Sequence, residues 1–194
     1  MKYTLPFDLP QLPDFREYII YDGFLPHEVD RIKAMWIEDA AKKATLTGDT
    51  PYQENLRKST VCFLQPTKRN FWIYERITTL ASDCNAQRYG FDLTGFIEPL
   101  QLAQYQPGEF FDWHMDFSAG EASNRKLSVT VQLSDEGDYE GGELQFMINN
   151  KTEIAPRRKG TLIVFPSFIQ HRVTEVTSGK RHSIAGWLSG PPYR

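Results

Sequence analysis

The stretch "FFDWHMDFSAG", residues 110–120, sets a histidine and an aspartate two apart among aromatics. On a β-strand side chains repeat with period two, so the spacing predicts that His114 and Asp116 project from one face of a sheet. Flanked by Phe110, Phe111, Trp113 and Phe117, an imidazole and a carboxylate are costly to bury without a partner. A cation is a partner that satisfies both.

The pattern around this stretch has the same period. From about Phe91 onward the chain is a series of alternating runs: "EPLQLAQYQPG", "EFFDWHMD", "RKLSVTVQLSD", "GGELQFMI", "TEIAP", "GTLIVFPS", "FIQHRVTEV" and "KRHSIAGWLS". Gly, Pro, Asn and Asp separate them, as expected of short antiparallel strands. The fold class is therefore mainly β with flanking helices, a double-stranded β-helix (jelly roll) supported by N-terminal α-helices.

The first half supplies those helices. In "FLPHEVDRIKAMWIEDAAKK", residues 24–43, a proline opens the pattern, and Val29, Ile32, Trp36 and Ala40 recur at helical spacing. In "NFWIYERITTLASDCNAQRYG", residues 70–90, Asn70 is the expected cap, Ile73, Ile77, Leu80 and Cys84 form one stripe, and Gly90 is the exit. "EYIIYDGF" (17–24) and "KSTVCFLQP" (58–66) read as strands. Residues 1–194 form one expected domain, in which 1–90 supply the leader, strands and supporting helices and 91–190 the jelly-roll core. The polar residues 44–58 read either as a cover over the mouth of a site or as a surface loop.

Composition narrows the function. With 40% hydrophobic and 24% charged residues the chain is globular, and a net charge of −3 offers no basic field for nucleic acid. "PRRK" at 156–159 reads as a solvated loop. Nothing approaches the run of about 18 apolar residues that spans a bilayer. The proline-rich first fifteen residues lack the apolar core of a secretion signal, so a cytoplasmic protein is expected. The two cysteines, Cys62 and Cys84, lie in apolar patterns and read as buried free thiols.

The histidines are His27, His114, His171 and His182. His27 falls in the first turn of a helix, at the surface, and His182 alternates away from Arg181. His171 shares a strand face with Ile169 and Val173; alone, it reads as a core histidine bonded to a backbone carbonyl. With His114 and Asp116 it completes two imidazoles and one carboxylate, a set that on one face of iron(II) leaves positions open for other ligands. Ten residues on, Arg181, Ser183, Ala185 and Trp187 alternate with Lys180, His182, Ile184 and Gly186. Turned inward, Arg181 and Ser183 make a fork for a carboxylate; in the other phase Arg181 faces water and Ile184 the core. Period alone fits both. "EGG" at 140–142 reads as a tight turn, and Phe111, Trp113, Phe117 and Trp187 as core.

The run from "YQPGEFFDWHMD" (105–116) through "LSVTVQLSDEGDYEGGELQF" (127–146) to "GTLIVFPSFIQHRVTEVTSGKRHSIAGW" (160–187) resembles the Fe(II) and 2-oxoglutarate dependent dioxygenases. The branch it resembles is the prolyl 4-hydroxylase-like one with its PKHD-type hydroxylase relatives. The resemblance implies that His114, Asp116 and His171 bind the metal, that Arg181 pairs with the far carboxylate of 2-oxoglutarate, and that Tyr105 and Ser183 are further cosubstrate contacts. It also implies O2 as oxidant, ascorbate as reductant, release of succinate and CO2, and hydroxylation of an aliphatic C–H. A prolyl residue in a peptide or protein is the implied substrate, with a small molecule as the alternative. Relatives that halogenate lack the carboxylate, so Asp116 implies hydroxylation. Two positions depart from the pattern: Gln132, where relatives often carry an aromatic, and Glu175, where PKHD-type proteins often carry proline. The competing readings are a cupin-like metalloenzyme without 2-oxoglutarate and a non-catalytic β-sandwich binding module.

Overall fold

The computed structural model describes residues 18–37, 40–44 and 55–193. Strand β1 (Ile19–Asp22) leads into α1 (Pro26–Lys33), entered through proline, with the Glu28 carboxylate accepting from the Leu25 N–H. Short β2 (Lys42–Lys43) and β3 (Arg57–Lys58) precede β4 (Thr60–Leu64) and the long helix α2 (Phe71–Cys84). A π-helical turn, Asn85–Tyr89, extends α2 to Gly90, whose φ of 66° ends it in the left-handed conformation glycine tolerates.

The remainder is β-structure: β5 (Gly95–Phe96), β6 (Leu100–Tyr105), β7 (Phe110–His114), β8 (Arg125–Gln132), β9 (Tyr139–Gly141), β10 (Leu144–Ile148) and β11 (Lys151–Ile154). Then come β12 (Thr161–Pro166), β13 (His171–Val173), β14 (Val176–Gly179) and β15 (Arg181–Ser189). The major sheet runs β1-β12-β8-β15-β6-β4-β2 with β5 added on β15, the minor sheet runs β11-β10-β13-β7-β3, and β14 pairs with β9. Every pairing is antiparallel, as a jelly roll requires.

The major sheet has two apolar faces. One packs under the helices, where Val29, Ile32, Ile73, Ile77, Ala81 and Cys84 meet Leu100, Leu102, Val129, Val131, Ile184 and Leu188. The other faces the minor sheet across Ala103, Tyr105, Leu144, Phe146, Ile163, Phe165 and Val173. Ile184 and Leu188 lie fully buried beneath the helices. Period two then turns Arg181, Ser183, Ala185 and Trp187 into the space between the sheets, which decides the phase of β15.

Each of the eight alternating runs contains a strand. Other expectations need correction. Helix α1 stops at Lys33, leaving Trp36 and Ala40 outside it. Only Val29 and Ile32 reach the core, after which the chain tightens through Met35 N–H to Ile32 O and Trp36 N–H to Lys33 O. Asn70 occupies the N-cap position of α2 as expected, but its side chain bonds no N–H of the helix. Its carbonyl accepts from the Thr67 N–H and its amide donates to Gln65 O, closing the preceding turn. The single strand expected over 58–66 is two strands in two sheets, with Arg57–Lys58 on β7 and Thr60–Leu64 on β6, so the chain crosses between sheets at Ser59. "EGG" contributes more than a turn, because Tyr139–Gly141 forms a ladder with β14. A Cβ at Gly141 would lie 2.1 Å from Glu175 O, so only glycine fits that approach. Of the 44–58 stretch, residues 45–54 lie outside the described residues, as does the leader to residue 17. No described helix is long and apolar enough to cross a membrane.

His182 sits on the helix side of β15, its ring 6.3 Å from that of Trp36. Gln104 donates to its Nε2 while accepting from Gln106, so the neutral ring carries its proton on Nδ1, which has no partner. Burial, with Lys33 and Lys180 nearby, pushes this imidazole down to about 4. Unfolded histidine titrates near 6.5. The unfolded chain therefore takes up the proton first, and stability present above about pH 6.5 is lost as the pH falls toward 4. In urea titrations across that window, the wild type should lose stability more steeply than His182→Asn. Parallel slopes in the two proteins would show that His182 does not contribute to acid sensitivity.

Candidate active site

Strands β7 and β13 are neighbours in the minor sheet, and their register sets His114 opposite His171 with ring centroids 4.2 Å apart. Asp116 is not placed by strand period, since β7 ends at His114. It is placed by the turn after β12: Ser167 O accepts the Asp116 N–H at 2.9 Å and the Phe117 N–H at 3.0 Å. The carboxylate then spans both rings, with Oδ1 3.7 Å from His114 Nε2 and Oδ2 3.5 Å from His171 Nε2. One ligand atom from each residue lies within 4.8 Å of the others, the only such group of three among the described residues.

The backbone decides which nitrogens face inward. His114 Nδ1 lies 2.7 Å from Asp112 O, and His171 Nδ1 lies 2.9 Å from Ile169 O. A carbonyl only accepts, so each Nδ1 carries a proton and each Nε2 is the ring nitrogen turned toward Asp116. The carbonyl bond foreseen for a core histidine is present at His171 and serves to orient it. Burial and the neighbouring His171 hold the His114 imidazole well below its ordinary range, so it is neutral at pH 7. Burial raises the Asp116 carboxyl, but the two imidazoles and the Ser128 hydroxyl outweigh it and hold it below the usual carboxylate range. The Ser128 hydroxyl donates to Oδ2 at 2.6 Å. Two imidazole nitrogens and one oriented anion on a single side, each fixed from behind, form a set that fits a divalent transition-metal ion.

Across the cavity, Arg181 opens β15 and is 1% exposed. Its Nη1 donates to Ser183 Oγ at 3.1 Å and its Nη2 to Gln132 Oε1 at 3.0 Å, while Nε has no partner. The Gln132 amide donates in turn to Pro156 O, which locks its carbonyl toward the guanidinium. Tyr105, opposite Arg181 in register, lies under the guanidinium with Cζ 5.4 Å from the ring centroid. No carboxylate among the described residues pairs with Arg181. An unpaired, fully buried guanidinium is a costly arrangement that an anion would relieve.

All six residues singled out from sequence, Tyr105, His114, Asp116, His171, Arg181 and Ser183, line one cavity between the sheets, with an open interior of about 50 Å³. Phe111 and Trp187, read as core, line it as well. Phe117 instead packs against Tyr193, with ring centroids 5.3 Å apart, and Trp113 lies beneath Arg172. Sequence reading missed Ser128, Arg57 and Arg125. Arg125 pairs with Glu98 at 2.6 Å, stacks on Trp187 and donates to Asp116 O at 3.1 Å. No local signal marks these residues, since a polar side chain inside an alternating run looks like one on the solvent face. Gln132 was visible only as a departure; in the structure it is a direct neighbour of Arg181. A larger surface groove, between α2 and the turn after β5, is lined by Phe71, Tyr74, Phe96 and Ile97 and brings no metal-ligating group together.

Residues 100–189 match the family model of the 2OG-Fe(II) oxygenase superfamily. The chain is similar to a PKHD-type hydroxylase of Prochlorococcus marinus (strain NATL2A), 36% identical over 98 residues that cover 50% of this chain and 44% of the relative. A PKHD-type hydroxylase of Synechococcus sp. (strain CC9605) is 34% identical over 112 residues, 57% of this chain and 50% of the relative. The chain thus spans about half the length of these relatives, or less. Among solved structures, a Pseudomonas putida prolyl-4-hydroxylase superposes with a TM-score of 0.72 at 20% identity, covering 90% of this chain and 93% of that one. A Trichoplax adhaerens prolyl hydroxylase, in complex with a hypoxia inducible factor peptide fragment, superposes with a TM-score of 0.75 at 18% identity, covering 89% and 83%. Both likenesses bear on the fold.

Metal titration checks the donor set. Wild-type protein should take up about one equivalent of cobalt(II), His171→Ala should take up none at the same concentration, and Ser128→Ala should bind it about 10-fold more weakly because Asp116 loses its orienting donor. Undiminished uptake by His171→Ala would remove the cluster from consideration as a metal centre.

Proposed function

We propose that this chain, whose residues 100–189 match the family model of the 2OG-Fe(II) oxygenase superfamily, is an Fe(II)- and 2-oxoglutarate-dependent dioxygenase that hydroxylates an aliphatic C–H. The observation that carries this reading is the buried Arg181, without a counter-ion, in the same cavity as the His114, Asp116 and His171 cluster. A metal centre alone leaves that cation unexplained; a dicarboxylate that reaches from metal to guanidinium accounts for both.

In this reading His114, Asp116 and His171 hold iron(II). Arg181, assisted by the Ser183 and Tyr105 hydroxyls, takes the far carboxylate of 2-oxoglutarate. Iron(II) and 2-oxoglutarate supply, when bound, the oxidising chemistry with O2, releasing succinate and CO2. The protein's own work is orientation and charge. Asp112 O and Ile169 O keep the imidazole Nε2 atoms facing the metal, Ser128 fixes the carboxylate, and Gln132 and Ser183 hold Arg181 ready for an anion. Phe111, Leu144 and Val173 line the cavity with apolar surface, which strengthens each of these charge interactions.

For substrate we favour a prolyl residue in a peptide or protein. The support is the likeness in sequence to PKHD-type hydroxylases and in fold to prolyl hydroxylases, one of them solved with a peptide. Two buried free thiols, Cys62 and Cys84, suit a reducing compartment such as the cytoplasm.

The test is an anaerobic titration of iron(II)-loaded protein with 2-oxoglutarate. A weak visible charge-transfer band should grow with the cosubstrate, and Arg181→Ala should need at least about 10-fold more of it, since a buried charge-assisted pair is lost. Binding of iron(II) without a band would instead favour a cupin-like enzyme that does not use 2-oxoglutarate.

A further inference from the structure

A second guanidinium lines the cavity, and nothing in the reading so far employs it. Arg57 enters from β3 in the minor sheet and is only 6% exposed. Its Nε donates to Ser59 Oγ at 2.9 Å and its Nη2 reaches Gln101 Oε1 at 3.5 Å. Its Cζ sits 4.6 Å from the centroid of the Phe111 ring, which itself stacks on His114 with centroids 3.4 Å apart. Both acceptors are neutral, and among the described residues Nη1 has no hydrogen-bond partner and no carboxylate pairs with the guanidinium. Arg125, the other guanidinium beside the site, differs in being matched by Glu98.

We infer that Arg57 recognises the substrate, and that the substrate presents a carboxylate beside the carbon that is hydroxylated. The inference rests on the dioxygenase reading above and follows from charge balance within the cavity. Iron(II), Arg181 and Arg57 together outweigh Asp116 and dianionic 2-oxoglutarate by a single positive charge, since the far carboxylate of the cosubstrate answers Arg181 and the metal takes the rest. Arg57 is left as one buried positive charge, which is costly to desolvate without an anion. The far carboxylate of the cosubstrate cannot serve both arginines, because Arg181 lies opposite Tyr105 at one end of β6 whereas Arg57 reaches Gln101, four residues back along the same strand. The anion Arg57 lacks must arrive with the molecule that reacts. A free amino acid and the C-terminal residue of a peptide both carry such a carboxylate.

The experiment uses the full chain loaded with zinc(II), which supports binding without turnover, and saturated with 2-oxoglutarate. Calorimetry then compares L-proline with L-prolinamide, and acetyl-glycyl-L-proline with its C-terminal amide. In wild type the acid of at least one pair should bind at least 10-fold more tightly than its amide, and the pair that discriminates identifies free amino acid or peptide terminus as the source. Arg57→Met should reduce the preference to within 2-fold while zinc(II) and 2-oxoglutarate bind as before, and Arg57→Lys should restore part of it. Amides binding as tightly as acids, no acid binding at all, or a preference that survives Arg57→Met would each overturn the inference. So would a loss of zinc(II) affinity in Arg57→Met, which would make the residue a brace for Phe111 and His114. The wild-type comparison needs no variant to fold. Failure of wild type to bind 2-oxoglutarate would bring down the dioxygenase reading itself, whereas normal 2-oxoglutarate binding without acid preference counts against Arg57 alone.

Discussion

The cost of burying Arg181 without a counter-charge is the constraint around which the site is arranged. The guanidinium lies inside a β-sandwich, and its partners are a serine hydroxyl and a glutamine carbonyl. Neutral acceptors satisfy hydrogen-bond geometry but return little of the lost hydration of a cation. The surrounding sequence accommodates the group in detail. Pro156 O fixes the Gln132 amide, and Gly142 leaves room where a Cβ would approach Arg181 Cδ at 3.1 Å. A site built to hold a cation in place with a single charge unanswered is prepared for an anion from outside.

The opposite wall repeats this logic with the signs altered. Asp116 is a buried carboxylate whose nearest neighbours are two imidazoles, and burial together with the adjacent His171 holds that of His114 well below its ordinary range. Two backbone carbonyls orient the rings, so the cluster gains its direction from strand geometry rather than from further charged residues. The architecture brings the walls together because β15 has two faces of different character. Ile184 and Leu188 anchor it under the helices, and the same alternation delivers Arg181, Ser183 and Trp187 to the cavity. The helices thus contribute to the site indirectly, by holding the phase of the strand that carries Arg181.

Much of this was legible in the residues. The eight alternating runs are strands, and His114, Asp116, His171 and Arg181 could be singled out because their side chains are expensive in an apolar pattern. The errors are also physical. Trp36 continues the helical spacing of Val29 and Ile32, yet α1 ends at Lys33, and the tryptophan reaches the core's edge and His182 from the turn beyond it. Asn70 has the residue type of a helix cap, but Gln65 O and the Thr67 N–H take up its amide first. Ser59 gives no sign that the chain changes sheets there.

Sequence by itself determined the period of each strand and the chemical identity of the candidate metal-ligating set, and it narrowed Arg181 to two phases. These are local properties, fixed by side-chain type and spacing along a few residues. Tertiary structure alone decided the phase, the reach of Asp116 to both histidines through the Ser167 carbonyl, and the presence of Arg57 and Ser128 at the site. Each depends on a contact between residues far apart in the chain. Burial there is set by which sheet face meets another layer, and a residue's own neighbours in sequence carry no record of that.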